Sequence, residues 1–166
     1  MRRRRPLPPA DVRAHLAKDP LLAASELADG SWALASPVAL VIATAGEQRL
    51  RRPWHEILHA RWDGESRLFS VTYVDTSEPV LELRTKDDDV QALADVVRER
   101  VTSSLVHTLR RELPNGSEVH VHIRRGEDGE LLSQTTTTGP LAGDTEEAQV
   151  ILAAEAEARG AVGLGE

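Results

Sequence analysis

The stretch Asp87-Asp88-Asp89-Val90-Gln91-Ala92-Leu93-Ala94-Asp95-Val96-Val97-Arg98-Glu99-Arg100-Val101 decides the fold class. Val90, Leu93, Ala94, Val97 and Val101 recur at the spacing of one helical face, and Gln91, Asp95, Arg98 and Glu99 fall opposite them. An aspartate at a helix start accepts orphan backbone N–H groups and opposes the positive end of the macrodipole. The pattern predicts a capped amphipathic helix over residues 89–101. Before it, the period is that of strands.

Seven short runs precede this helix. Residues 21–28 and 31–36 flank Asp29-Gly30, the dipeptide of a tight hairpin. Residues 38–44 are apolar throughout, as in a strand covered on both sides. Residues 48–52 and 58–62 follow, then Asp63-Gly64 turns the chain into residues 67–74. There Leu68, Ser70, Thr72 and Val74 alternate with Phe69, Val71 and Tyr73. Residues 80–85 alternate again. Short strands joined by tight turns point to a barrel or sandwich rather than a parallel sheet. After the helix, residues 103–113 fit either a continued helix, through Leu105, Leu109 and Leu113, or a strand, and the strand is favoured because Thr102-Ser103-Ser104 is a poor helix interior. Pro114-Asn115-Gly116-Ser117 is a turn, residues 119–124 and 130–138 are two more strands, and Asp144 or Thr145 starts a last helix. Ala148, Ile151, Leu152 and Ala156 give that helix an apolar stripe, and Gly160, Gly163 and Gly165 end it.

The composition narrows the function. The 166 residues carry a net charge of −7 and no cysteine. That removes disulfides and thiolate chemistry and fits a cytoplasmic setting. Residues 1–20 hold six Arg or Lys against two Asp, a surplus of +4, so the rest of the chain is strongly acidic. An acidic body disfavours nucleic acid as a partner. Residues 1–20 read as a flexible, basic and proline-rich leader with a short helix, residues 21–101 as the barrel and its helix, and residues 102–166 as a β-meander with a helix packed on the same domain.

Arg51-Arg52-Pro53-Trp54-His55-Glu56-Ile57, followed by an alternating strand and an Asp-Gly turn, resembles the "I-P-W-x-x-I" crossing of bacterial pleckstrin-homology-like (PH-like) domains. In those domains the Trp and Ile anchor the turn between barrel strands; Arg52 stands here where an aliphatic is more usual. The resemblance covers residues 21–101. It implies an α+β, mostly β fold: a PH-like, seven-stranded, partly open barrel capped by a helix, with a C-terminal three-stranded extension and helix. The whole chain is also similar to a group of small actinobacterial proteins in which such a barrel is followed by a β-hairpin and helix. The expected core includes Trp32, Trp54, Trp62, Val41, Leu68 and Leu93.

No motif for covalent chemistry or for a cofactor is legible. His120 and His122 share one face of a strand, and His55 and His59 could share a helical turn, so both pairs are metal candidates; zinc wants three or four converging ligands. Ser103, Ser104 and His107 lack the glycine elbow of an acyl-transfer site. Contiguous Asp87, Asp88 and Asp89 lack the spacing of a calcium loop. The expectation is a non-enzymatic protein-interaction or scaffold module that uses a barrel edge or the strand carrying Thr135 to Thr138. Self-association through that strand and a monomer with an ordinary β-rich surface are both compatible with the sequence. The alternative is binding to an acidic membrane surface through Arg2, Arg3, Arg4 and Arg5 together with Arg49, Arg51 and Arg52, and a third reading is a metal-dependent enzyme that uses His120 and His122.

Overall fold

The computed structural model describes residues 6–165. The chain divides into two compact units, residues 1–102 and 103–166, each with its own apolar core. Among the described residues there are three antiparallel sheets and three α-helices, and no closed barrel. The chain is α+β and mostly β.

The first unit opens with helix α1 (Ala10–Arg13) and a 3-10 turn at Ala14–Leu16. Strands β1 (Ala23–Glu26), β2 (Trp32–Ala35), β3 (Ala39–Ala43) and β4 (Gln48–Pro53) form an antiparallel meander. A 3-10 turn at Trp54–Glu56 leads into a second meander of β5 (Ile57–Asp63), β6 (Leu68–Tyr73) and β7 (Leu81–Arg84), and helix α2 (Gln91–Ser104) follows. The two sheets meet at a bridge between Leu27 and Thr85. Asp29-Gly30 closes the first hairpin: Gly30 has φ +84°, and Asp29 Oδ1 accepts from the Ser31 N–H at 2.9 Å.

Side-chain alternation divides this interior in two. Ala33, Ala35, Leu40, Ile42, Trp54, Ile57, Phe69, Val71, Tyr73 and Leu83 pack with Leu93, Val97 and Val101 of α2. On the other side of the first sheet, Trp32, Leu34, Val41 and Ala43 are covered by Val12 and Leu16. All five residues of β3 are buried, as its apolar run requires. Trp54 ties the crossing between the sheets, its indole Nε1 donating to the Ser36 carbonyl at 3.0 Å.

The second unit contains β8 (Leu105–Glu112), β9 (Glu118–Arg125), β10 (Leu131–Thr138) and helix α3 (Thr145–Ala161), with sheet order β10-β9-β8. Val119, Val121 and Ile123 of β9 pack with Leu113 and with Ala154 and Ala158 of α3. The two alanines let the helix axis approach the sheet closely. Asp144 caps α3 by accepting the Glu147 N–H at 2.8 Å. The buried Glu147 carboxylate reaches back to the N–H groups of Ala142 (2.7 Å) and Gly143 (3.0 Å).

Several expectations need correction. α2 begins at Gln91 and runs through Thr102-Ser103-Ser104, so β8 starts at Leu105 and not at residue 103. Weak helix formers are tolerated in a last turn, and Ser104 Oγ is held by Arg124 Nη1 at 2.9 Å. Asp87 caps a turn ahead of the helix, accepting the Asp89 N–H at 2.9 Å. On β6 the core face is Phe69, Val71 and Tyr73; Leu68 is half-buried, as is Trp62 on β5. In α3 the buried stripe is Glu147, Ala154 and Ala158 with Ile151 beside it, while Ala148, Leu152 and Ala156 are exposed. Alanines recur on several sides of that helix (Ala148, Ala153, Ala154, Ala156 and Ala158), which hides the true stripe. Val12 and Leu16, on the short helix within the leader, are core residues.

Replacing Trp54 with Phe leaves the buried Ser36 carbonyl without its donor. We expect a loss of about 1–3 kcal/mol, read as a lowered urea midpoint by circular dichroism; an unchanged midpoint would mean that the crossing is not anchored by this bond.

Candidate functional site

The sheet of the second unit has two chemically different faces. The odd-numbered residues of β9 point to α3, and the even-numbered Glu118, His120, His122 and Arg124 point to the opposite face. Across the ladder, His120 lies between Arg110 and Thr136, and His122 between Thr108 and Gln134. The imidazoles are near-parallel, with ring centroids 6.3 Å apart and planes 17° apart.

At the Glu118 end of this face, charges answer one another. Arg110 pairs with Glu118. Its hydrogen bond is the main cause that holds the Glu118 carboxyl below the usual range, and the same bond raises Arg110. His120 Nε2 lies 3.4 Å from Glu118 Oε2, and His122 Nδ1 lies 3.3 Å from Thr108 Oγ1. Burial, then the positive Arg124 and His120, push the His122 imidazole down. Burial alone lowers Arg124, whose side chain is 3% exposed as a residue. The two histidines are thus neighbours, as their spacing requires, but no group of three His, Cys, Asp or Glu among the described residues could hold a metal ion. His55 lies in the 3-10 turn and His59 on β5, so they do not share a helical turn.

Arg2, Arg3, Arg4 and Arg5 lie outside the described residues. Arg49, Arg51 and Arg52 all lie on β4. Arg49 is bonded to Asp29 at 2.9 Å and approaches Glu47 at 3.5 Å. Arg52 pairs with Glu56 at 3.1 Å and with Glu78, and its guanidinium sits 4.5 Å over the Tyr73 ring. Ser104 and His107 are held apart in role: the first ends α2 and is occupied by Arg124, the second is on β8.

The remaining feature is β10. It is an edge of its sheet, and its eight residues include no charge, proline or glycine. It pairs with β9 in unbroken register from Leu131↔Arg125 to Thr138↔Glu118. The other free edges are guarded. β8 carries Arg110, Arg111, Glu112 and a register shift; β4 carries three arginines; β5 carries His59, Arg61, Asp63 and a shift.

Hydrogen-bond direction in β10 follows from the hairpin ends. Gly126 N–H donates to the Glu130 carbonyl at 2.8 Å, and Leu113 N–H to the Ser117 carbonyl at 2.7 Å. Bonded and non-bonded pairs alternate along an antiparallel ladder. Leu132, Gln134, Thr136 and Thr138 therefore bond to β9, while Leu131, Ser133, Thr135 and Thr137 turn their N–H and C=O groups to the open edge. The sequence places the strand at residues 130–138 and marks Thr135 to Thr138 as its edge candidate. The whole stretch from residue 131 to residue 138 lacks charge, which extends the edge beyond the threonines.

Comparison of the chain with protein-family models, curated proteins and solved structures finds no match. Among the described residues no helix is long and apolar enough to cross a membrane.

The lowered His122 pKa sets a pH dependence. The unfolded chain takes up this proton at an ordinary histidine pKa and the folded unit only at a lower one. Above the ordinary histidine range the group is neutral in both states and has no effect. As pH falls through that range toward the folded value, the second unit loses stability. His122→Gln is expected to flatten this acid limb in urea titrations at a series of pH values; an unchanged limb would contradict the assignment.

Proposed function

We propose that this chain is a non-enzymatic interaction module that engages protein by strand addition at β10. The observation that carries the reading is the unguarded edge, with the backbone groups of Leu131, Ser133, Thr135 and Thr137 facing outward. A row of unpaired strand groups is a template for another chain, and main-chain hydrogen bonds then supply the affinity.

The first unit supports this as a scaffold. We read it as a PH-like, half-open barrel: a four-stranded and a three-stranded sheet bridged at Leu27 and Thr85, crossed at Trp54 and Ile57, with one helix after the seventh strand. That fold hosts many roles, so the edge and not the fold carries the function. The acidic-membrane reading draws less support, since Arg49 and Arg52 are each engaged by carboxylates.

The test compares wild-type chain with Thr135→Pro on an affinity support. Proline at an outward-facing position removes an edge donor and spares the ladder with β9. Proteins retained from lysate of the source cells, including untagged copies of this chain, should be lost with Thr135→Pro. Identical retained sets would overturn strand addition.

A further inference from the structure

We infer that the strand added at β10 is β10 of a second copy, in an antiparallel pair whose two-fold axis passes through Gln134. The inference rests on the interaction reading above and names the partner. It follows from three properties of the edge.

The first is register. The outward groups belong to Leu131, Ser133, Thr135 and Thr137, so two copies bond to each other only through odd-numbered residues. Centring the pair on Gln134 sets Leu131 against Thr137 and Ser133 against Thr135 of the other copy. That register alone pairs every outward N–H and C=O of both strands. Sliding by two residues either way leaves one residue of each strand unpaired. The strand is thus complementary to itself over its whole length.

The second is side-chain chemistry. Ser133 Oγ is buried, with no hydrogen-bond partner among the described residues. In the symmetric pair it stands directly opposite Thr135 of the other copy, a Ser–Thr contact across the ladder. Leu131 faces Thr137, whose methyl group offers apolar contact. Leu132 faces Thr136 on the other face of the sheet, and the two Gln134 side chains meet at the axis. Because β10 carries no charge, the symmetry that sets each residue near its own copy brings no like charges together.

The third is access. α3 lies mainly over β8 and β9 and less over β10. An axis normal to the sheet keeps both copies of α3 on one face, and the sheet continues as six strands in the order β8-β9-β10-β10-β9-β8.

The chain has no cysteine, so single cysteines report the register cleanly. Residues facing each other in a non-hydrogen-bonded pair lie about 4.5 Å apart at Cα, within disulfide reach. Under mild oxidation of the full chain, Gln134→Cys should form a self-linked dimer. Leu132→Cys and Thr136→Cys should each link poorly to themselves but well to one another when mixed. Sedimentation of wild-type chain over a concentration series should show a monomer–dimer equilibrium. Thr135→Pro, with Thr135→Lys as a second variant should proline disturb the fold, should weaken it at least about tenfold, with circular dichroism unchanged. A wild-type chain that stays monomeric throughout, or self-linking that peaks away from Gln134, overturns the inference. If the chain is monomeric but retains another protein in a Thr135-dependent way, self-pairing falls and strand addition stands. If nothing is retained either, both fall.

Discussion

The two-residue period of an antiparallel strand couples side-chain facing to hydrogen-bond direction, and the second unit depends on that coupling. Val119, Val121 and Ile123 are fully buried against α3, so β9 cannot slip by one residue without turning His120, His122 and Arg124 into the core. With β9 fixed, the register of β10 is fixed, and with it the identity of the four residues that face outward. The edge is therefore a consequence of the core. The same constraint places His120 beside Arg110 and Glu118, and His122 beside Thr108.

The first unit solves a different problem. Two small sheets cannot each bury an apolar face alone, and here they share one interior with Leu93, Val97 and Val101 of α2. Trp54 and Ile57 sit where the chain passes from one sheet to the other. The single hydrogen bond from Trp54 to Ser36 satisfies the indole inside that interior. Arg52 stays half-buried by lying over the Tyr73 ring with Glu56 and Glu78 around it. Its charge is thereby consumed within the unit.

Element identity was largely legible in the sequence because turn chemistry and period agreed. Asp29-Gly30, Asp63-Gly64 and Pro114-Asn115-Gly116 all lie where strands reverse. What was not legible was facing. Phe69 against Leu68 and Ala154 against Ala156 differ by one or two positions, and neither pair differs enough in polarity to reveal which is inside. The helix boundary at residues 102–104 was hidden for a related reason: Ser104 is held by Arg124, twenty positions away, and local propensity carries no trace of that bond. For the candidate site, the threonines marked the strand, but direction of its free groups required the register. The arginines on β4 read as a patch in sequence because Asp29 and Glu78, two of their partners, lie 20 and 26 positions away.

Amide hydrogen exchange resolved residue by residue along β10 tests the edge most directly. Strand addition to a second copy predicts that Leu132, Gln134, Thr136 and Thr138 are protected at every protein concentration, whereas Leu131, Ser133, Thr135 and Thr137 gain protection only as concentration rises. Protection with the opposite alternation, or outward amides whose exchange ignores concentration, would contradict it.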